Sequence, residues 1–199
     1  MISNTKKDKK YTPVNKGHSY GLETKERMDE FNKKLSQGWE TEYKEYRKLW
    51  EDLPQKRIVR DYPLLVDLET VSRCNLSCPM CPTVTQEFKD KRIAPFKRGQ
   101  MNTELAKKII DEVAGKIYSL RLSWIGEPTL HSGLVGIIKY AKEKNIKEVS
   151  FLTNGYKLHM DYFLKLVDAG IDIITISIDG MDETYNKIRK PLKFNETLK

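Results

Sequence analysis

The sequence predicts an α/β protein: about four βα units forming a parallel sheet with helices outside it, preceded by a helical extension. Three observations predict it. Four short runs alternate or concentrate apolar residues in the manner of buried strands. Between them, apolar residues recur every three or four positions, as on the buried face of a helix. Each strand run is followed by a polar, turn-forming motif, the pattern expected where strand C-termini share one face.

The extension comes first, with the boundary near residue 60. Over 24–53 the residues Met28, Phe31, Leu35, Trp39, Tyr43, Tyr46, Trp50 and Leu53 mark one face of a helix or helix pair broken at Gly38. Pro54 is expected to end it. The aromatic stripe reads as packing surface, with a partner-binding role as the alternative.

Residues 61–199 carry the alternation. Leu64, Val66 and Leu68 form the first strand. Leu105, Ala106, Ile109, Ile110 and Val113 form a helical face, with Asn102 or Thr103 as N-cap and Gly115 as C-cap. Tyr118, Leu120, Leu122 and Trp124 make the second strand, and Leu134, Ile137, Ile138 and Ala141 the next helix. A third strand spans 149–152, a helix carries Phe163, Leu166 and Val167, and a buried fourth strand spans 171–178. Residues 82–101 form a long connection of the kind that serves as a lid or binding loop or is disordered, holding Phe88, Phe96, Arg98 and the solvated run Lys89-Asp90-Lys91-Arg92.

All three cysteines lie in one stretch, Cys74-Asn-Leu-Ser-Cys78-Pro-Met-Cys81, just after the first strand. Three thiolates on one short loop can each hold one iron of a [4Fe-4S] cube, leaving the fourth iron open to a substrate or cofactor. Backbone N–H groups over 75–81 are placed to donate to sulfur, and Pro79 removes one of them. A zinc site with His131 or His159 as fourth ligand is the competing reading. Gly126-Glu127-Pro128 follows the second strand, Thr153-Asn154-Gly155 the third, and Ser177-Ile178-Asp179-Gly180 closes the fourth. Ligands of parallel α/β proteins bind at that end.

Composition sets outer limits. The 199-residue chain is 39% hydrophobic, enough for one sizeable core plus an extension. No apolar run approaches the roughly 18 residues of a membrane span, and the first ten residues are charged, so the chain reads as cytoplasmic with no membrane partner. Cysteines confined to one motif argue for metal ligation rather than disulfides. The net charge of +8 owes much to Lys6, Lys7, Lys9, Lys10 and Lys16, which read as a solvated tail. Nucleic acid is the minor alternative.

With its Cys-x3-Cys-x2-Cys loop, its glycine-glutamate turn and its serine-aspartate strand end, the chain resembles the radical S-adenosylmethionine (radical SAM) superfamily over about residues 62–199. The phrasing of the motifs is similar to that of the branch carrying SPASM domains. The resemblance implies a six-unit barrel, a [4Fe-4S] cluster on Cys74, Cys78 and Cys81, and S-adenosyl-L-methionine on the fourth iron. It also implies site roles. Gly126 and Glu127 would bind the methionyl ammonium through backbone and carboxylate, and Met80 would pack near the adenine. Asn154, Ser177 and Asp179 would reach the ribose, and Arg189 would pair with the methionyl carboxylate. The sequence departs from the family's glycine-glycine-glutamate pattern at Ile125. The implied activity is reductive cleavage of the cofactor to a 5′-deoxyadenosyl radical that abstracts hydrogen from a peptide or small-molecule substrate, with a reductant such as flavodoxin or ferredoxin. The implied alternatives are an RNA-modifying enzyme of the same superfamily and a non-catalytic zinc or iron-sulfur module. Four βα units and a helix-like 194–199 lead to the expectation of an N-terminal portion of a longer protein.

Overall fold

Because strand side chains alternate between faces, Leu120 and Leu122 fall on one side of the second strand and Arg121 on the other. That alternation organises the whole sheet. In a computed structural model, which describes residues 24–89 and 99–197, the strands are β1 (Leu65–Asp67), β2 (Ser119–Arg121), β3 (Glu148–Thr153) and β4 (Ile173–Ile176). All pair in parallel in the order β1-β2-β3-β4. The lysines at 6, 7, 9, 10 and 16, the loop residues 90–98 with Phe96 and Arg98, and residues 198–199 lie outside the described residues.

The chain divides into two units, residues 1–64 and 65–199. In the first, α1 (Lys25–Leu35) and α2 (Glu40–Lys56) are separated at Gly38, whose φ of +84° favours glycine. The aromatic stripe packs on itself. Trp39 meets Tyr43 edge-on at 5.2 Å and stacks on Tyr46 at 6.2 Å, and Tyr43 donates to Asn32 Oδ1 at 2.6 Å. Pro54 does not end the second helix as expected. It sits inside the last turn, and the stop comes at Arg57 in the left-handed region, with Ile58 N–H donating to Leu53 O. A proline so close to a helix end forfeits one hydrogen bond without breaking the helix.

In the second unit, α3 (Gln86–Lys89) lies in the long connection, and α4 (Thr103–Val113), α5 (Leu134–Glu143) and α6 (Met160–Asp168) link successive strands. Their apolar faces, including Ala106, Ile110, Ile137, Ile138 and Leu166, form one core with Leu120, Leu122, Val149 and Phe151 of the sheet. Each fully buried residue of this size contributes about 1.5–3 kcal/mol. Asn102 is the N-cap of α4, its Oδ1 accepting from Glu104 N at 2.8 Å. Asn102→Ala is expected to cost about 1 kcal/mol, lowering the thermal midpoint by roughly 2–4 °C as followed by circular dichroism.

The opposite face of the sheet carries paired polar side chains beside Leu65, Leu152 and Ile173. Asp67 and Arg121, paired in register, form a two-pronged ion pair at 2.6 and 2.7 Å, and Ser119 donates to Glu148 at 2.7 Å. After β4 come α7 (Asp182–Ile188), for which the sequence shows too short an apolar pattern, and α8 (Phe194–Thr197). Tyr185 of α7 and Leu192 form a second small core with Leu76 and Cys78. This core seats the cysteine loop.

Candidate functional site

The segments following β1, β2, β3 and β4 lie at one end of the parallel sheet, and hydrogen bonds join them. The loop after β1 carries the three cysteines, all free. Its backbone is held from below: Ser77 N–H donates to Lys190 O at 2.7 Å and Cys81 N–H to Cys78 O at 2.9 Å. Those two amides are therefore taken. Leu76 N–H does face a sulfur, Cys74 Sγ at 3.4 Å.

Two side chains from outside the loop approach the thiols. Asn154 Nδ2, just past β3, lies 3.8 Å from Cys74 Sγ and donates to Asn75 Oδ1 at 2.8 Å. Arg189 Nη1, at the end of α7, lies 3.9 Å from Cys78 Sγ. Partial burial raises the Cys74 thiol above its usual range, with the Glu127 charge adding and the Leu76 and Asn154 donors opposing. Burial likewise raises Cys78, against the pull of Arg189. Metal uptake at these thiols must displace protons.

The structure places Glu127 differently from the expectation that its carboxylate receives the cofactor ammonium. The residue is only 3% exposed. Its Oε1 accepts from Thr129 N, Thr129 Oγ1 and Thr153 Oγ1 at 3.1, 2.6 and 2.7 Å, and its Oε2 from Asn154 N at 2.8 Å. A carboxylate holding four donors of its own chain ties β2 to β3 rather than reaching out.

Gly126 is required by contact. A Cβ built there would stand 1.8 Å from Val71 O and 2.9 Å from Arg73 O, the strand entering the cysteine loop. Gly126→Ala must push backbone apart and is expected to cost about 3 kcal/mol, a fall of roughly 6–12 °C in thermal midpoint, with the iron content of reconstituted protein also reduced.

The remaining positions divide. Asn154 uses its side chain internally, its Oδ1 accepting from Tyr156 N at 3.0 Å, which spends the group expected at the ribose. Asp179 pairs with Arg189, Oδ2 to Nε at 2.5 Å, so its carboxylate orients a guanidinium. Ser177 is half-buried at the end of β4, its N–H bound to Thr153 O at 2.9 Å. Met80 is 57% exposed beside the cysteines. Glu69 was not anticipated. Two residues beyond β1, it accepts from Ile125 N and Gly126 N, each at 2.8 Å; a lone acid at a strand end carries no sequence signal for such a role.

The donor set fits a cluster better than a single ion. Among the described residues, no three His, Cys, Asp or Glu side chains are grouped to hold one metal ion. Thiolates that each serve a different iron stand further apart than donors around one centre. His131 is spent, its Nε2 bound to Met101 O at 2.8 Å and its Nδ1 accepting from Gly133 N at 2.9 Å. The N–H donors beside Cys74 and Cys78 suit sulfur ligands carrying negative charge. A cleft of about 640 Å³ lies behind the Glu127 turn, bordered by Thr129, His131, Tyr156, His159 and Tyr162 and by none of the cysteines.

Comparison with known proteins gives the following. A family profile described as Radical SAM superfamily matches residues 68–199. A probable GTP 3′,8-cyclase of Methanococcus maripaludis is 33% identical over 122 residues, 61% of this chain and 38% of that protein. An Fe-coproporphyrin III synthase of Methanosarcina barkeri is 31% identical over 117 residues, 59% of this chain and 27% of that protein. The chain thus spans less than half the length of these curated relatives. Among solved structures, native anSMEcpe with bound AdoMet aligns with a TM-score of 0.53 at 24% identity, over 67% of this chain and 39% of that one. BtrN in complex with AdoMet and 2-DOIA aligns at 0.51 and 20% identity, over 71% and 56%. These two likenesses concern the fold.

Proposed function

The chain belongs to the radical S-adenosylmethionine superfamily, and from that premise we propose that it holds a [4Fe-4S] cluster on Cys74, Cys78 and Cys81 and binds S-adenosyl-L-methionine beside it. The observation that carries this reading is the set of hydrogen bonds joining the cysteine loop and the residue before it to the segments that follow β2, β3 and α7. Such a group supplies one-electron reductive cleavage of the cofactor's sulfur–carbon bond, giving a 5′-deoxyadenosyl radical that takes hydrogen from a substrate.

The chain's own residues bind and orient. Arg189 offers its guanidinium to the methionyl carboxylate, held for that purpose by Asp179. The turn at 124–127 receives the ammonium through its backbone carbonyls, with the buried Glu127 carboxylate fixing the turn. Ser177 reaches the ribose, and Met80 covers the adenine. Asn154 serves the cysteine loop through Asn75 and Cys74 instead. The substrate is a peptide or small molecule; the partly exposed Asp67–Arg121 pair at the C-terminal ends of β1 and β2 supports a hydrogen-bonding one. The electron comes from a reductant such as flavodoxin or ferredoxin.

The test is anaerobic reconstitution with iron and sulfide. About four irons per chain, a spectrum of the reduced protein that shifts on adding S-adenosylmethionine, and formation of 5′-deoxyadenosine with dithionite are expected. Stoichiometric zinc without 5′-deoxyadenosine would overturn the reading in favour of a non-catalytic metal module.

A further inference from the structure

A carboxylate that collects two successive backbone N–H groups does more than fill a gap. Glu69 Oε2 accepts from Ile125 N and Oε1 from Gly126 N, both at 2.8 Å. In an extended strand, successive amides point to opposite sides. Here both point the same way, forming a small anion-binding nest whose anion is the chain's own side chain.

The consequence follows from the planarity of the peptide. In a trans peptide the C=O points opposite to the N–H, and the one cis bond among the described residues is Lys190-Pro191. The carbonyls of Trp124 and Ile125 therefore both point away from Glu69. Among the described residues, no hydrogen bond ends on either oxygen. Two carbonyls aimed together make an acceptor pair for a cation with several N–H donors. The pair is anchored next to the thiols, because Gly126 abuts Val71 O and Arg73 O and Glu127 N–H donates to Arg73 O at 2.9 Å, one residue before Cys74. Ile125, where a glycine would be expected, changes none of these backbone directions.

We propose that Glu69 is a positioning residue that aims the Trp124 and Ile125 carbonyls at the ammonium group of the bound sulfonium cofactor. This rests on the cofactor reading above. Glu69 itself touches only backbone; its effect passes through the peptide planes it holds.

The experiment compares reconstituted wild type, Glu69→Gln and Glu69→Ala. Anaerobic calorimetry measures binding of S-adenosylmethionine and of its analogue in which hydrogen replaces the α-amino group, with iron content and thermal unfolding recorded for each protein. Wild type should prefer the amino-bearing ligand. Glu69→Ala should weaken that ligand about 10–100-fold, as loss of an orienting partner does, while changing the analogue by less than about threefold. Glu69→Gln, which keeps one acceptor oxygen, should fall between. Equal weakening of both ligands at unchanged iron content would show a general structural role and overturn the proposal, as would no change in either. An iron-loaded wild type that binds neither ligand would instead overturn the cofactor reading, and this proposal with it.

Discussion

Cys78→Ala is expected to leave the protein without the proposed cluster: after anaerobic reconstitution, iron should fall from about four per chain to background, and 5′-deoxyadenosine should not form. Each cluster iron bound by protein takes one thiolate, and the chain's other two thiols, Cys74 and Cys81, have irons of their own to hold. Among the described residues, His131 has both ring nitrogens engaged. The fold should survive, because the small core of Leu76, Tyr185 and Leu192 around Cys78 loses only one sulfur, at about 1–2 kcal/mol. Circular dichroism of the variant should match that of apo wild type. Full iron content in Cys78→Ala would remove this residue from the ligand set.

The second large effect is expected on stability. Glu127→Ala strips the acceptor from two hydroxyls and two backbone amides in a site that is 3% exposed. Buried donors left unpaired cost about 1–3 kcal/mol each, and with water entering the gap a total near 4 kcal/mol is expected, roughly 8–16 °C of thermal midpoint. Glu127→Gln should cost about half as much, since its amide group must turn an N–H toward one of the same donors. Iron content should fall in both, because Asn154 is fixed at its backbone by Glu127 and at its side chain by the cysteine loop. Urea unfolding and iron assay check this; an unchanged midpoint would mean that the carboxylate is not the strut described here.

The sheet was legible in the sequence because strand centres announce themselves. Leu120, Leu122, Val149 and Phe151 alternate in the chain and share one core. The cysteine loop was legible for a different reason, as three soft ligands at close spacing have few other uses. What stayed hidden depends on contacts distant in sequence. Glu69 meets Ile125 across 56 residues, and nothing in the neighbourhood of either announces the other. In sequence the carboxylate of Glu127 reads outward, toward a ligand, because donors such as the Thr129 and Thr153 hydroxyls are too common to stand out as partners. The pairing of Asp179 with Arg189 escaped for the same reason.

The outer side of β4 pairs with no strand among the described residues, and the apolar side chains of Ile176, its last residue, and of Ile178, two residues on, stand 45% and 48% exposed. An exposed ladder of N–H and C=O groups flanked by isoleucine is a template for another chain. In purified solution this makes the molecule's colloidal behaviour a contest between a sticky border and a net charge of +8. Screening that charge with salt weakens the repulsion, so light scattering should register growth of assemblies as ionic strength rises, and a lysine introduced at Ile178 should restrain it.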